Sequence, residues 1–203
     1  MRAGVAVGAY KPVASGAPTL EQSDGFQLWQ ASGQRGLLAE VTPQCFLAPL
    51  APPIAAELEG KEVSDELIIV GARHWAKGCQ FLVVEGAGGL MSPMSWTMTN
   101  AALALELQFP VVLVSENRLG VVNQVLTTLT AAWSMGLHVC CIVLNEIRNT
   151  EERAVQSNER LLGRFLETYP NAPKITRLLR DGEDFMPAVR WQDLVAARCS
   201  NRG

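Results

Sequence analysis

Two short runs bring together residue types that do chemistry: Lys11-Pro12-Val13-Ala14-Ser15-Gly16 and Glu85-Gly86-Ala87-Gly88-Gly89. Each follows an apolar, strand-like segment, Val5 to Tyr10 in one case and Phe81 to Val84 in the other. A lysine at a strand end serves as a point charge for a phosphate or a developing oxyanion. Pro12 biases Lys11 toward extended backbone, and Ser15, in a loop that Gly16 makes pliable, offers a hydroxyl to the same ligand. A carboxylate at a strand end, here Glu85, can hold Mg²⁺ directly or through water, so that the metal neutralises charge between phosphate oxygens. The glycines after it let backbone N–H groups approach an anion with no Cβ in the way. Taken singly, Glu85 also reads as a solvated acid in a tight turn, and Lys11 as a surface lysine. Together they point to phosphate and metal chemistry in the crevice beyond the carboxyl ends of a sheet's strands.

A third run, Arg118-Leu119-Gly120-Val121-Val122-Asn123, falls where a strand ending at Ser115 gives way to a helix. A helix start presents unsatisfied N–H groups and partial positive charge, which suits a carboxylate or phosphate; turn geometry alone also explains its Gly and Asn. Asn145 follows Cys141-Ile142-Val143-Leu144 and either reads a purine edge with its amide or caps the next turn. Other chemistries lack their residues. His74 and His138, the only histidines, share no metal-ligand spacing with a cysteine. There is no G-x-S-x-G or other nucleophile-base set, and the tryptophans are scattered rather than lined along a groove.

The elements that must position these residues alternate between strand and helix. Val5 to Tyr10, Phe81 to Glu85, Pro110 to Ser115 and Val139 to Asn145 are apolar throughout rather than at every second residue, as expected of a parallel sheet covered on both faces. Ser64 is placed to cap a helix running to about Lys77 and ending at Gly78, with Asp65 and Glu66 in its first turn. Further helices are expected over about Thr99 to Gln108, over about Gly120 to Ser134, and from a Thr150 cap toward Pro170. From Gly16 to Pro53, Pro18, Gly25, Gly33, Gly36, Pro43, Pro49, Pro52 and Pro53 interrupt any long element, so this stretch reads as a substrate loop or a poorly ordered surface segment. After about Gln192 a frayed or short helix is expected.

Composition narrows the function classes. With 203 residues, 48% apolar and 18% charged, the chain can bury a sizeable core and is most simply one domain, residues 1–203. A net charge of −3 with no Lys/Arg cluster gives no reason to expect nucleic acid as a partner. The five cysteines are odd in number and form no C-x-x-C, which suits reduced thiols in a cytoplasmic protein. No run of 18 apolar residues exists to engage a membrane, and the first residues open no signal-peptide core.

With Tyr10-Lys11-Pro12-Val13-Ala14-Ser15-Gly16, Ser23-Asp24, Val84-Glu85-Gly86-Ala87-Gly88-Gly89, Leu119-Gly120-x-x-Asn123-x-x-Leu126-Thr127 and Leu144-Asn145 in order, the chain resembles the dethiobiotin synthetases of biotin biosynthesis. The resemblance implies an α/β fold: a three-layer, doubly wound, mostly parallel sheet of the P-loop NTPase kind. It implies an ATP- and Mg²⁺-dependent ligase that closes the ureido ring of dethiobiotin from 7,8-diaminononanoate and CO₂, working as a homodimer. By the same resemblance Lys11 is the catalytic lysine and Ser15 a substrate contact. Asp24 and Glu85 are the acidic Mg²⁺ and ATP residues, Gly86, Ala87 and Gly88 the nucleotide-contacting loop, and Asn145 with the adjacent Glu146 the adenine-side residues. Leu119, Gly120, Val121, Val122 and Asn123 correspond to the segment that receives the substrate's carboxylate tail across the dimer interface.

One departure accompanies the likeness. Members of that family begin with a strand, a G-x-x-x-x-G-K-[ST] loop and a helix upstream of the lysine strand, whereas here Met1 lies ten positions before Lys11 and the motif occurs nowhere. The expectation is therefore of a fold lacking its first strand, P-loop and helix. Three explanations are a start placed too late, a binding remnant without turnover, and a strand supplied by another chain. A related amide-forming or cobyrinate-type ATP ligase is the alternative within enzymes.

Overall fold

A parallel ladder places the two chemical runs side by side before any side chain is considered. In the computed structural model, which describes residues 5–147 and 153–179, strand β1 (Val7–Tyr10) pairs in parallel with the strand Phe81–Val84, and Tyr10 lies opposite Val84. The next residues along, Lys11 and Glu85, therefore leave the ladder together, and the Glu85 N–H donates to the Tyr10 carbonyl at 2.9 Å. The chain divides into two compact units, Met1–Leu107 and Gln108–Gly203.

Within the first unit, β1 continues through Pro12 into β2 (Val13–Ser15). The stretch from Gly16 to Pro53, expected as a substrate loop or a poorly ordered segment, is instead built from short regular pieces. After a single 3₁₀ turn come α1 (Asp24–Ala31), α2 (Leu38–Val41), β3 (Gln44–Phe46) and α3 (Pro52–Leu58). Its many glycines and prolines keep each piece short without preventing order, because β3 pairs in parallel with β2 and Phe46 enters the core beside Val13. Pro52 and Pro53 start α3 where a missing N–H costs nothing.

α4 (Asp65–Gly78) begins as expected: the Ser64 hydroxyl accepts a hydrogen bond from the Leu67 N–H at 3.2 Å. Its inward face carries Ile68, Ala72 and Trp75, which pack into two clusters, one with Val13, Phe46 and Met94, the other with Tyr10 and Val41. β4 (Phe81–Val84) follows, then α5 (Asn100–Leu107), whose first turn is closed by the Thr99 hydroxyl accepting from the Ala102 N–H.

The second unit is a three-stranded parallel sheet in the order β5 (Val111–Glu116), β6 (Val139–Asn145), β7 (Lys174–Leu178). α6 (Val121–Ser134) and α7 (Arg153–Leu166) connect the strands, and β6 is buried over most of its length, as its unbroken apolar run requires. β7 was not expected, because Lys174-Ile175-Thr176-Arg177-Leu178 alternates too weakly to signal a strand; pairing with β6 makes it one. Among the described residues every strand ladder is parallel, in keeping with the expected α/β class. The expected Thr150 cap and the expected helix after Gln192 lie outside the described residues. Among the described residues no helix is long and apolar enough to cross a membrane.

Candidate active site

Lys11 is the centre of the site in the first unit. Its side chain is only 5% exposed, and its Nζ donates to Glu85 Oε1 at 2.6 Å and to the Gly86 carbonyl at 3.1 Å, with Asp24 Oδ2 at 3.5 Å. A buried ammonium is tolerated only when paired, and here two carboxylates supply the pairing. The carboxylates themselves face solvent, Asp24 at 68% and Glu85 at 46% exposure, so each keeps an accessible oxygen.

Each partner reaches Lys11 by a different local device. The backbone N–H of Lys11 donates to the Val41 carbonyl at 2.8 Å, which anchors the strand end against α2. Asp24 is the first residue of α1, where an acid is favoured by the helix dipole. Behind it, Gly25 leaves room for the buried Thr42: a Cβ on Gly25 would lie 1.7 Å from Thr42 Oγ1. Ser15, expected as a substrate contact, donates its hydroxyl to the Leu50 carbonyl at 2.7 Å.

The glycine run after Glu85 is held in shape by Asn100, a residue the sequence reading passed over. Its Oδ1 accepts from the Ala87 N–H at 3.1 Å, and its Nδ2 donates to the carbonyls of Ala87 and Gly89 at 2.8 and 2.7 Å. The Ser92 hydroxyl accepts from the Gly89 N–H. Gly86 is required by this closure, since a Cβ there would lie 2.1 Å from Asn100 Oδ1. Gly88 has φ +79°, which disfavours any side chain. An Asn at the head of an apolar helical run is the signal that marks Asn100, though it reads first as a helix cap.

The donor set fits a hard cation. Asp24 and Glu85 offer only oxygen, and among the described residues no group of three His, Cys, Asp or Glu side chains gathers at one place. Mg²⁺ characteristically takes one or two carboxylates and fills its other positions with water and phosphate oxygens.

The second unit holds the remaining expected residues. Leu119 is 74% exposed, and Gly120, with φ +93°, turns the chain into α6. Val121 is fully buried, with its N–H donated to the Arg118 carbonyl at 3.1 Å, and Asn123 is exposed. Asn145 ends β6 and Glu146 follows it. Glu146 Oε1 accepts from Arg177 Nε at 2.6 Å and from Asn117 Nδ2 at 3.1 Å. Asn117, Asn158 and Arg177 carry no motif in sequence, and only the folded chain brings them to this rim.

Comparison with known proteins gives the same direction. The model of a family described as AAA domain matches residues 1–177. The ATP-dependent dethiobiotin synthetase BioD of Rhodopirellula baltica is 36% identical over 177 residues, covering 80% of this chain and 69% of that protein. The BioD of Anaeromyxobacter dehalogenans strain 2CP-C is 38% identical over 183 residues, 88% of this chain and 82% of that protein. The BioD of Bacillus subtilis is 33% identical over 163 residues, 78% and 69% respectively.

Proposed function

Because this chain belongs to the dethiobiotin synthetase family, within the AAA domain family, we propose that it closes the ureido ring of dethiobiotin from 7,8-diaminononanoate, CO₂ and ATP. The observation that carries the reading is the Lys11 ammonium 2.6 Å from Glu85, beside a glycine loop shaped by Asn100. That is an arrangement for holding a cation-stabilised phosphate next to a fixed positive charge.

In the proposed reaction one substrate amine adds to CO₂ and loses a proton, giving a carbamate. The carbamate oxygen attacks the γ-phosphorus of ATP, the bond to the β,γ-bridging oxygen breaks, and ADP leaves. The second amine then attacks the carbonyl carbon of the carbamic–phosphoric anhydride, which expels phosphate and closes the ring with loss of a proton. Lys11 neutralises the carbamate and the oxygens that gather charge during transfer, and being already held at a strand end it needs little reorganisation. Asp24 and Glu85 would hold Mg²⁺, which supplies charge neutralisation between the phosphate oxygens. The N–H of Gly88 has no protein partner among the described residues and suits a phosphate oxygen. Ser15 orients the substrate through the lone pairs its hydroxyl retains.

In the second unit, Asn145 reads the adenine base with Glu146 beside it, and the Leu119–Asn123 segment takes the substrate's carboxylate at the start of α6, where a helix leaves N–H groups without helical partners. The exposed Leu119 supports a role for this segment in a homodimer interface, and the reduced-thiol composition supports a cytoplasmic site of action. The G-x-x-x-x-G-K-[ST] motif does not occur in these 203 residues, so the phosphate contacts proposed here rest on Lys11 and the Glu85–Gly89 loop.

The test is direct. Purified protein given 7,8-diaminononanoate, bicarbonate, ATP and Mg²⁺ is expected to form dethiobiotin and ADP in equal amounts, read by mass spectrometry. Absence of both products, with no binding of ATP by calorimetry, would overturn the assignment.

A further inference from the structure

We propose that Asn117 and Arg177 are positioning residues for purine selection, clamping the Asn145–Glu146 turn from its two sides. The inference deepens the proposed function and rests on Asn145 as the purine-reading residue.

The clamp is built from backbone and side chain together. The Asn117 N–H donates to the Asn145 carbonyl at 2.8 Å, and on the other side the Glu146 N–H donates to the Leu178 carbonyl at 2.8 Å. The Asn117 side chain is 4% exposed and its amide is fully used. Nδ2 donates to Glu146 Oε1 at 3.1 Å and to the Val155 carbonyl at 3.2 Å, while Oδ1 accepts from Asn158 Nδ2 at 2.9 Å. Asn158, itself 5% exposed, also donates to the Arg118 carbonyl at 3.2 Å. Arg177 closes the network by donating through Nε to Glu146 Oε1 at 2.6 Å.

Two nearly buried amides and an ion pair are an uneconomical way to gain stability, since apolar residues of the same volume would pack there without desolvation. What such a network provides is one geometry, because each member is satisfied only when all stand in place. It joins the carboxyl ends of β5, β6 and β7 to α7, at the rim where an open α/β sheet binds ligands. Glu146 is thereby held by protein groups, and the Asn145 amide, which makes no hydrogen bond to any described residue, is the polar group left for a base.

The experiment measures binding of ATP and of GTP by calorimetry to the wild-type chain and to Asn117→Ala, Arg177→Met and Arg177→Lys. Wild type is expected to prefer ATP. Asn117→Ala and Arg177→Met are expected to lose roughly tenfold of that preference, the worth of one buried hydrogen bond, with GTP affinity unchanged, and Arg177→Lys to restore it. Amide hydrogen exchange at residues 145 and 146 is expected to quicken in Asn117→Ala. Full retention of the preference in both Asn117→Ala and Arg177→Met overturns the inference while leaving the proposed function intact. Equal weakening of ATP and GTP assigns the network a structural role only and also overturns it. A wild-type chain that binds neither nucleotide overturns the purine-reading assignment and this inference with it. Should Asn117→Ala fail to fold, the Arg177 pair, one-third exposed, decides the question alone.

Discussion

At the scale of single residues, the site turns on charge that cannot be left alone. Lys11 is buried between two exposed carboxylates, so its replacement removes both the cation and the reason for those acids to converge. Lys11→Met, which keeps most of the aliphatic stem, is expected to lower dethiobiotin formation by at least about a hundredfold, the scale for deleting one preorganised stabilising group. Steady-state product assays against wild type check this, and a drop of less than threefold would remove Lys11 from the chemistry. The glycine loop responds to volume instead of charge. Gly86→Ala must displace Asn100, which holds three loop groups, so nucleotide affinity should fall while the melting temperature moves by only a few degrees. Unchanged nucleotide affinity in Gly86→Ala would show that the loop does not contact the nucleotide.

At the scale of elements, α4 shows how packing reverses a local preference. Alanine is normally favoured over glycine inside a helix by up to about 1 kcal/mol. At Gly71, however, an added Cβ would lie 2.2 Å from the Tyr10 hydroxyl, which is fully buried and donates to the Leu67 carbonyl at 2.8 Å. Gly71→Ala is therefore expected to destabilise by about 1–3 kcal/mol, as overpacked cores do, read as a lower urea midpoint. Because Tyr10 precedes Lys11, the same substitution is expected to reduce turnover beyond its effect on folding. An increase in stability would mean that Tyr10 yields at no cost. Helix α4 thus supports strand β1 through one ring and one missing methyl group.

At the scale of the whole molecule, the thiols of β6 bear on stability at alkaline pH. Burial, helped by the neighbouring Cys140 and opposed by Lys174, pushes the Cys141 thiol up to about 11, and burial raises Cys140 as well. The folded chain thus holds these protons more tightly than the unfolded chain. Their contribution is fully present below the unfolded thiol range, near ~8.5, and is lost as pH rises through it toward the folded value. Burial also raises the Tyr10 phenol, with the same sign. Urea midpoints should fall between pH 8.5 and 11, and Cys141→Ala should make that fall shallower. A midpoint that stays level to pH 11 would contradict the linkage.

What the sequence alone determined is local. Long apolar runs become β1, β4, β5 and β6; β6 is buried along most of its length, as such a run favours, whereas Val83 of β4 and Val114 of β5 are exposed. Ser64 caps α4 because its hydroxyl reaches a nearby N–H in the next turn, and Lys11 and Glu85 stand out because a cation and an acid occur together, each just after an apolar run. What only the tertiary structure decided involves partners far apart in the chain. The β2–β3 ladder turns an apparently irregular stretch into order, and β6 makes a strand of β7. Asn100 closes the glycine loop, and Asn117 meets Asn158, Glu146 and Arg177. The physical reason is common to all of them. A polar side chain's role depends on which donor or acceptor folding places within about 3 Å, and no local periodicity encodes that distance.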